Sequence, residues 1–155
     1  MAIIKPNNNT LSSITALPAA ITTGKVLQVV NASESVAYDI TSTSYTNSSN
    51  GLLVNITPSS SSSKIFISVS IAYVYCPSGQ NLMLTLYKDS TNLSPDFFAL
   101  HSGFTEAVAQ GYSFLDSPST TSQVTYRVYS KMTGGAGIVG NADGESTITA
   151  FEIGA

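Results

Sequence analysis

Charged side chains are scarce in this sequence of 155 residues, where they make up 10% of the chain. An ordinary soluble domain carries roughly 25%. Ser and Thr take their place, at about a quarter of the chain. The six basic residues are scattered and the formal net charge is −3, so we expect no basic patch for nucleic acid. A chain with so little charge has weak repulsion between copies. We therefore expect partner molecules to cover part of its surface.

Cysteine and histidine are nearly absent, and tryptophan is missing. The only cysteine is Cys76, which excludes an intrachain disulfide and fits folding in a reducing cytoplasm. The N-terminus contains too few apolar residues for a secretory signal peptide. The longest apolar stretch, 65–76, is too short to cross a bilayer as a helix. We accordingly expect no membrane partner.

Catalytic and cofactor-binding patterns are weak. His101 is the only histidine available for a triad or a zinc site, and no G-x-S-x-G nucleophile turn is present. Gly135, Gly137 and Gly140 fit the spacing G-x-G-x-x-G. The dinucleotide-binding turn needs a following helix, however, and the residues after Gly140 alternate like a strand. A tight glycine-rich turn is the simpler interpretation.

One cluster of acidic and amide side chains is a candidate calcium site. Asn141, Asp143 and Glu145 lie close together in the sequence and offer about three side chains, whereas calcium takes six to eight oxygen ligands. The run Asn-Ala-Asp-Gly also makes a good hairpin turn without a metal. We predict no catalytic residues, no metal site and no cofactor, and therefore no enzyme.

Period-two alternation dominates the chain after residue 23, which predicts β-strands. Strict alternation in 65–75 places one set of side chains on a common face: Ile65, Ile67, Val69, Ile71, Tyr73 and Tyr75. Residues 104–110 are long enough for at most two helical turns. The predicted strands are 25–31, 36–40, 52–57, 65–75, 81–88, 97–100, 112–115, 124–131, 136–139 and 146–153. About ten short strands separated by turns predict an all-β, jelly-roll-like β-sandwich spanning residues 24–155.

Residues 1–23 show neither a strand period nor a helix period, and this predicts an extended N-terminal arm. Their apolar residues are spaced too irregularly to line one face of a helix or strand. An extended peptide can nevertheless insert such side chains into separate pockets of a partner. The candidate partner contacts are Ile3, Ile4, Leu11, Ile14, Leu17 and Ile21.

Tyrosine is abundant, with eight residues. Tyr73, Tyr75, Tyr87, Tyr126 and Tyr129 lie in predicted strands. Such residues either pack in the core or line a subunit interface, where an apolar ring with a wet hydroxyl is favoured. The sequence leaves both interpretations open.

Four segments carry a resemblance to a known family, at 24–32, 54–70, 113–131 and 146–154. They read GKVLQVVNA, VNITPSSSSSKIFISVS, SFLDSPSTTSQVTYRVYSK and STITAFEIG. These segments resemble a small β-domain of virion structural proteins from marine and freshwater bacteriophages, found in cyanophage-type decoration and tail-fibre-like proteins. The opening arm is similar to the leader that often precedes that domain. The last segment is also similar, in pattern alone, to the closing strand of trimeric jelly rolls of the C1q and tumour-necrosis-factor type.

The resemblance implies assembly rather than catalysis. Our first expectation is a capsid decoration (cement) protein, a homotrimer assembled in the host cytoplasm that binds the major capsid protein on the virion surface. The alternative is a receptor-binding tip or short tail-fibre protein that recognises host surface glycans. The chain shows no shaft, which favours decoration. A depolymerase is a third interpretation, and it lacks a convincing acid–base pair.

Overall fold

Strands form all of the regular structure in the residues that the computed structural model describes: 25–47, 52–94, 98–101 (backbone only) and 108–154. No helix in these ranges is long and apolar enough to cross a membrane. The predicted arm, with its six candidate contacts, lies outside the described residues. The strands are β1 (Val26–Glu34), β2 (Tyr38–Ile40), β3 (Thr46–Asn47), β4 (Leu53–Ile56), β5 (Lys64–Tyr75), β6 (Asn81–Lys88), β7 (Thr91–Asn92), β8 (Phe98–His101), β9 (Val108–Asp116), β10 (Val124–Met132), β11 (Gly137–Val139) and β12 (Ser146–Ile153).

Two antiparallel sheets contain these strands. In the first sheet, β1 pairs with β12 and β2 pairs with β11 along one edge, while β12 and β11 both pair with the same side of β5. On its other side β5 pairs with β9, which forms the opposite edge. In the second sheet, β3 and β4 pair with one side of β10, β10 pairs with β6, and β7 and β8 pair with the far side of β6.

The strand order is that of a jelly roll. Four pairs of collinear strands each occupy a single position in their sheet: β1 with β2, β3 with β4, β7 with β8, and β11 with β12. Counted in this way, each sheet has four strand positions. Numbered along the chain, these run 1-8-3-6 in the first sheet and 2-7-4-5 in the second. In this order successive positions lie in opposite sheets, except positions 4 and 5, which are neighbours in the second sheet. This arrangement produces the paired Greek keys of the jelly-roll sandwich. The predicted fold class is confirmed.

Side chains that alternate along the strands fill the space between the two sheets. In β6, Leu82, Leu84 and Leu86 are fully buried, and they belong to the same core cluster as Ile65 and Ile67 of the first-sheet strand β5. Each such side chain contributes about 1.5–3 kcal/mol through removal from water. The alternation leaves the other side chains of every strand on the outer faces, which supply the surfaces described below.

The phase of β5 differs from the prediction. The pairing with β9 shifts between Ile71 and Val74, which marks a β-bulge. After the bulge, Val74 is fully buried, while Tyr73 and Tyr75 are half-buried on the other side of the strand. The prediction that these tyrosines share a face with Ile71 is therefore wrong, because residues 71–75 are apolar on both faces and do not encode a phase.

The possible helix at 104–110 is also revised. Residues 108–110 belong to β9, while 104–107 lie outside the described residues. The glycine-rich segment contains a bend and a strand rather than one tight turn: Gly137 begins β11, and Gly140, with φ +84°, places its backbone against the carbonyl of Val36. The strand β12 follows it instead of the helix that a dinucleotide site needs.

Candidate functional site

The outer face of the first sheet carries a line of apolar side chains that crosses all four strand positions. Val29 pairs with Phe151, Phe151 with Phe66, and Phe66 with Leu115, so these residues stand side by side on β1, β12, β5 and β9. We call these four residues the apolar row. At its two ends Val29 is 54% exposed and Leu115 is 49% exposed.

Aromatic packing joins the middle of the apolar row. The ring centroids of Phe66 and Phe151 are 6.0 Å apart with the ring planes inclined at 48°, a geometry typical of favourable aromatic pairs. Beside the row, Val26 is 59% exposed and Leu27 is 47% exposed. A contiguous exposed apolar patch of this kind is characteristic of an interaction surface.

Hydroxyl and amide groups cover the sheet next to the apolar row. The adjacent row contains Asn31, Thr149, Ser68 and Ser113, and Asn31 Nδ2 donates to Thr149 Oγ1 at 2.8 Å. Across β1, β9, β12 and residues 64–70, Lys64 is the one charged side chain at an outward position. This part of the face can therefore be buried with almost no desolvation of charge.

A cluster of aromatic rings lies on the outer face of the second sheet. We call Tyr45, Tyr87 and Tyr129 the tyrosine cluster. The rings of Tyr87 and Tyr129 stack with centroids 4.0 Å apart, and the ring of Tyr45 meets Tyr87 edge-on at 6.5 Å. Lys131 Nζ lies 4.4 Å from the centroid of the Tyr45 ring, a cation–π contact.

Arg127 extends this surface beyond the tyrosine cluster. It stands between its cross-strand neighbours Leu53 on β4 and Tyr87 on β6. The side chain is half-buried, and its Nε is buried with no hydrogen-bond partner among the described residues. A guanidinium in this setting offers unused donors beside aromatic rings.

Three polar groups connect the two sheets inside the sandwich. Tyr126 Oη donates to Asp116 Oδ2 at 2.7 Å, and Lys88 Nζ lies 3.0 Å from the same oxygen. Burial, reinforced by the Asp116 carboxylate, raises the pKa of Tyr126 above its ordinary value. Because a hydroxyl with a raised pKa keeps its proton near neutral pH and does not act as an acid or as a phenolate base, we interpret the group as a structural link.

A second buried carboxylate belongs to Glu152. Its Oε1 accepts hydrogen bonds from the backbone N and the Oγ of Ser59 at 2.7 and 2.6 Å, and its Oε2 accepts one from Gln28 Nε2 at 2.6 Å. Burial alone would raise the pKa of Glu152, but these hydrogen bonds outweigh it and lower the pKa to about 2. The carboxylate fixes Ser59, in the serine-rich turn between β4 and β5, to β12 of the first sheet.

The residues considered for chemistry in the sequence belong to different elements of the fold. Cys76 is buried just after β5, its Sγ donates to Gln80 O at 3.2 Å, and burial raises the pKa of its thiol. Asp143 lies in a two-residue turn closed by the Asn141–Gly144 bridge, where its backbone N donates to Asn141 Oδ1. The His101 side chain is outside the described part of the structure. In the described ranges, no three His, Cys, Asp or Glu side chains group closely enough to hold a metal ion.

Both surface sites depend on registers between strands that are distant in sequence. Their one sequence signal is an aromatic residue at the outward phase of an alternating strand, as at Phe66 and Phe151. The fold and these surfaces define a jelly-roll β-sandwich with one apolar and one aromatic–basic outer face. A scan against protein-family models and a search of curated proteins found no match to this sequence.

Proposed function

We propose that this chain is a bacteriophage virion protein that assembles as a homotrimer through the outer face of the first sheet and decorates the capsid. The observation that carries the proposal is the apolar row, which is exposed at both edges of the sheet. Covering it with another copy removes apolar area from water at about 25 cal/mol per Å². The scarcity of charge around the row keeps the desolvation cost of that contact small.

A closed ring of copies suits this surface. In a cyclic trimer each copy presents one surface to the next and a different surface to the previous one, so that no apolar face is left open. The apolar row meets this requirement because it runs from the β1 edge to the β9 edge, where Val29 and Leu115 are both available to neighbours.

The resemblance to virion β-domains supports the same face. Each of the four resembling segments contributes one residue to the apolar row: Val29 from 24–32, Phe66 from 54–70, Leu115 from 113–131 and Phe151 from 146–154.

Residues 1–23, with Ile3 to Ile21, are proposed as the attachment to the major capsid protein. Deleting Met1 to Thr23 should leave a folded trimer that no longer binds capsids lacking the native protein. Undiminished binding would overturn the role of the arm.

Copy number per particle tests the decoration role. We expect hundreds of copies when the purified virion is quantified by mass spectrometry against the major capsid protein. A few dozen copies or fewer would overturn it in favour of the second candidate, a receptor-binding tip or short tail fibre. The tyrosine cluster is the observation that favours this second candidate, since aromatic rings that are partly open to solvent can stack on sugars.

A further inference from the structure

We infer that the outer face of the second sheet is a binding site for an acidic carbohydrate, formed by the tyrosine cluster and Arg127. This face lies opposite the apolar row. The inference goes beyond the proposed assembly and stands whether or not the chain forms a trimer.

Stacked rings supply the platform for a sugar. Tyr87 and Tyr129 are diagonal neighbours on β6 and β10, and their stack is braced by the edge of Tyr45. All three side chains are half-buried, so their rings are held in place yet remain partly open to solvent. The apolar face of a pyranose ring packs against such a surface, while the tyrosine hydroxyls can bond its polar rim.

Arg127 supplies the charge recognition. It is half-buried beside Tyr87, and its buried Nε lacks an acceptor within the described ranges. A buried donor without a partner is costly, and because Nε is closed to solvent, a turn of the half-buried side chain toward a ligand oxygen would relieve that cost. The guanidinium fork matches a carboxylate or a sulfate group in bidentate geometry. Lys131 adds a second cation at the other end of the tyrosine cluster.

A sugar acid fits this surface better than a nucleic acid. Arg127 and Lys131 are two cations on a chain with a formal net charge of −3. Nucleic-acid binding depends on neutralising many phosphates at once. Hydroxyl and amide groups flank the site, among them Thr125 and Asn55, which are hydrogen-bonded to each other at 2.6 Å. Such groups are suited to the hydroxyls of a saccharide. The carboxylate of Asp89, which accepts from the backbone N of Thr125 at 3.0 Å, lies on the Thr125 side, away from Lys131 along β10.

Calorimetric titration of the full chain tests the inference. The probes are a hexagalacturonate, a sulfated maltohexaose, neutral maltohexaose and a thymidine oligonucleotide. We expect saturable binding of an acidic hexasaccharide, carboxylated or sulfated, at least tenfold tighter than binding of the neutral one. The tighter of the two acidic probes identifies the acid group. No saturable binding of either acidic probe at millimolar concentration, or tighter binding of the oligonucleotide, would overturn the inference.

Two variants separate the charge from the platform. Arg127→Met should weaken binding of the acidic hexasaccharide about tenfold or more, because a charge-assisted hydrogen bond is lost. Tyr129→Leu should weaken it severalfold while Arg127 is retained. The matched control is Lys25→Met, which removes the same charge from an exposed position before β1. Thermal melts identify misfolded variants, and a Tyr129→Phe variant that keeps the ring should retain binding. If Lys25→Met weakens binding as much as Arg127→Met does, the effect is one of net charge and the assigned site is wrong.

Discussion

Two buried carboxylates, Asp116 and Glu152, are held by different partners in the sandwich. Asp116 accepts a hydrogen bond from Tyr126 and forms an ion pair with Lys88. Glu152 is held entirely by hydrogen bonds from neutral groups, and no ion pair reaches it from the described residues. Because their partners differ, the two carboxylates should respond differently to substitution.

Asp116→Ala should lower the free energy of unfolding by about 2–4 kcal/mol. The substitution leaves the Tyr126 hydroxyl buried without a partner and Lys88 without its counter-ion. Tyr126→Phe is the control, because it removes one hydrogen bond without stranding a buried donor and should cost about 1 kcal/mol. Urea unfolding of both variants measures the difference. Equal effects would contradict the assignment of Asp116 as a shared acceptor.

Glu152 should make stability depend on pH in the acid range. Its pKa in the folded chain is about 2, below the ordinary value of 4.5. The ionised form therefore stabilises the fold above about pH 4.5, and this contribution is lost as the pH falls from there through about 2. Glu152→Gln should be less stable than the natural chain at pH 7. The difference between the two unfolding curves should shrink as the pH is lowered from 5 to 2, whereas a constant difference would contradict this account.

At the scale of the strands, Gly140 sets the approach between β2 and β11. A Cβ atom added at Gly140 would lie 2.1 Å from the carbonyl oxygen of Val36, and the residue has φ +84°. Gly79 has a similar φ of +81° but has no atom within 4 Å of an added Cβ. Substituting Gly79 therefore measures the cost of the left-handed conformation alone, whereas substituting Gly140 measures that cost together with a clash against the backbone of Val36.

Gly140→Ala should destabilise the protein by about 3 kcal/mol or more, since strain and overpacking combine. Gly79→Ala should cost only about 1–2 kcal/mol, the price of the left-handed conformation. Thermal and urea unfolding of the two variants provide the comparison. Equal losses of stability would show that the close approach to Val36 is absent in solution.

The strength of the alternation determines which strands the sequence predicts. The bounds of β6 match the predicted 81–88, because Leu82, Leu84 and Leu86 alternate with outward residues. The bounds of β12 match 146–153 because Gly144 and Gly154 flank it, although its alternation is reversed at Phe151 and Glu152. The sequence does not predict the bulge in β5, because Ile71 to Tyr75 are apolar on both faces of the strand. The two-residue strands β3 and β7 are too short to produce any period and arise only from pairing with β10 and β6.

At the scale of the whole molecule, the fold class follows from many short strands, but the two outer surfaces do not. The apolar row depends on the registers that join Val29, Phe151, Phe66 and Leu115, and these residues are up to 122 positions apart in the sequence. Alternation places a residue on one face of its own strand. It says nothing of the neighbour that the residue meets, which is set by the jelly-roll strand order.

Charge introduced into the apolar row should prevent assembly while leaving the sandwich folded. Leu115→Glu places a carboxylate at an exposed position on the edge strand β9, so its effect on folding should be small. Asn55→Glu is the matched control, because it adds the same residue at an exposed position on the edge strand β4 of the other sheet. Its carboxylate can still accept the hydrogen bond from Thr125.

Light scattering of these proteins at micromolar concentration is the most direct test of the proposed assembly. The natural chain and Asn55→Glu should both have about three times the chain mass of 16.2 kDa. Leu115→Glu should have the mass of a single chain and an unchanged β-sheet circular dichroism spectrum. A monomeric natural chain, or a Leu115→Glu variant that trimerises as well as the natural chain does, would contradict the claim that the outer face of the first sheet joins the copies.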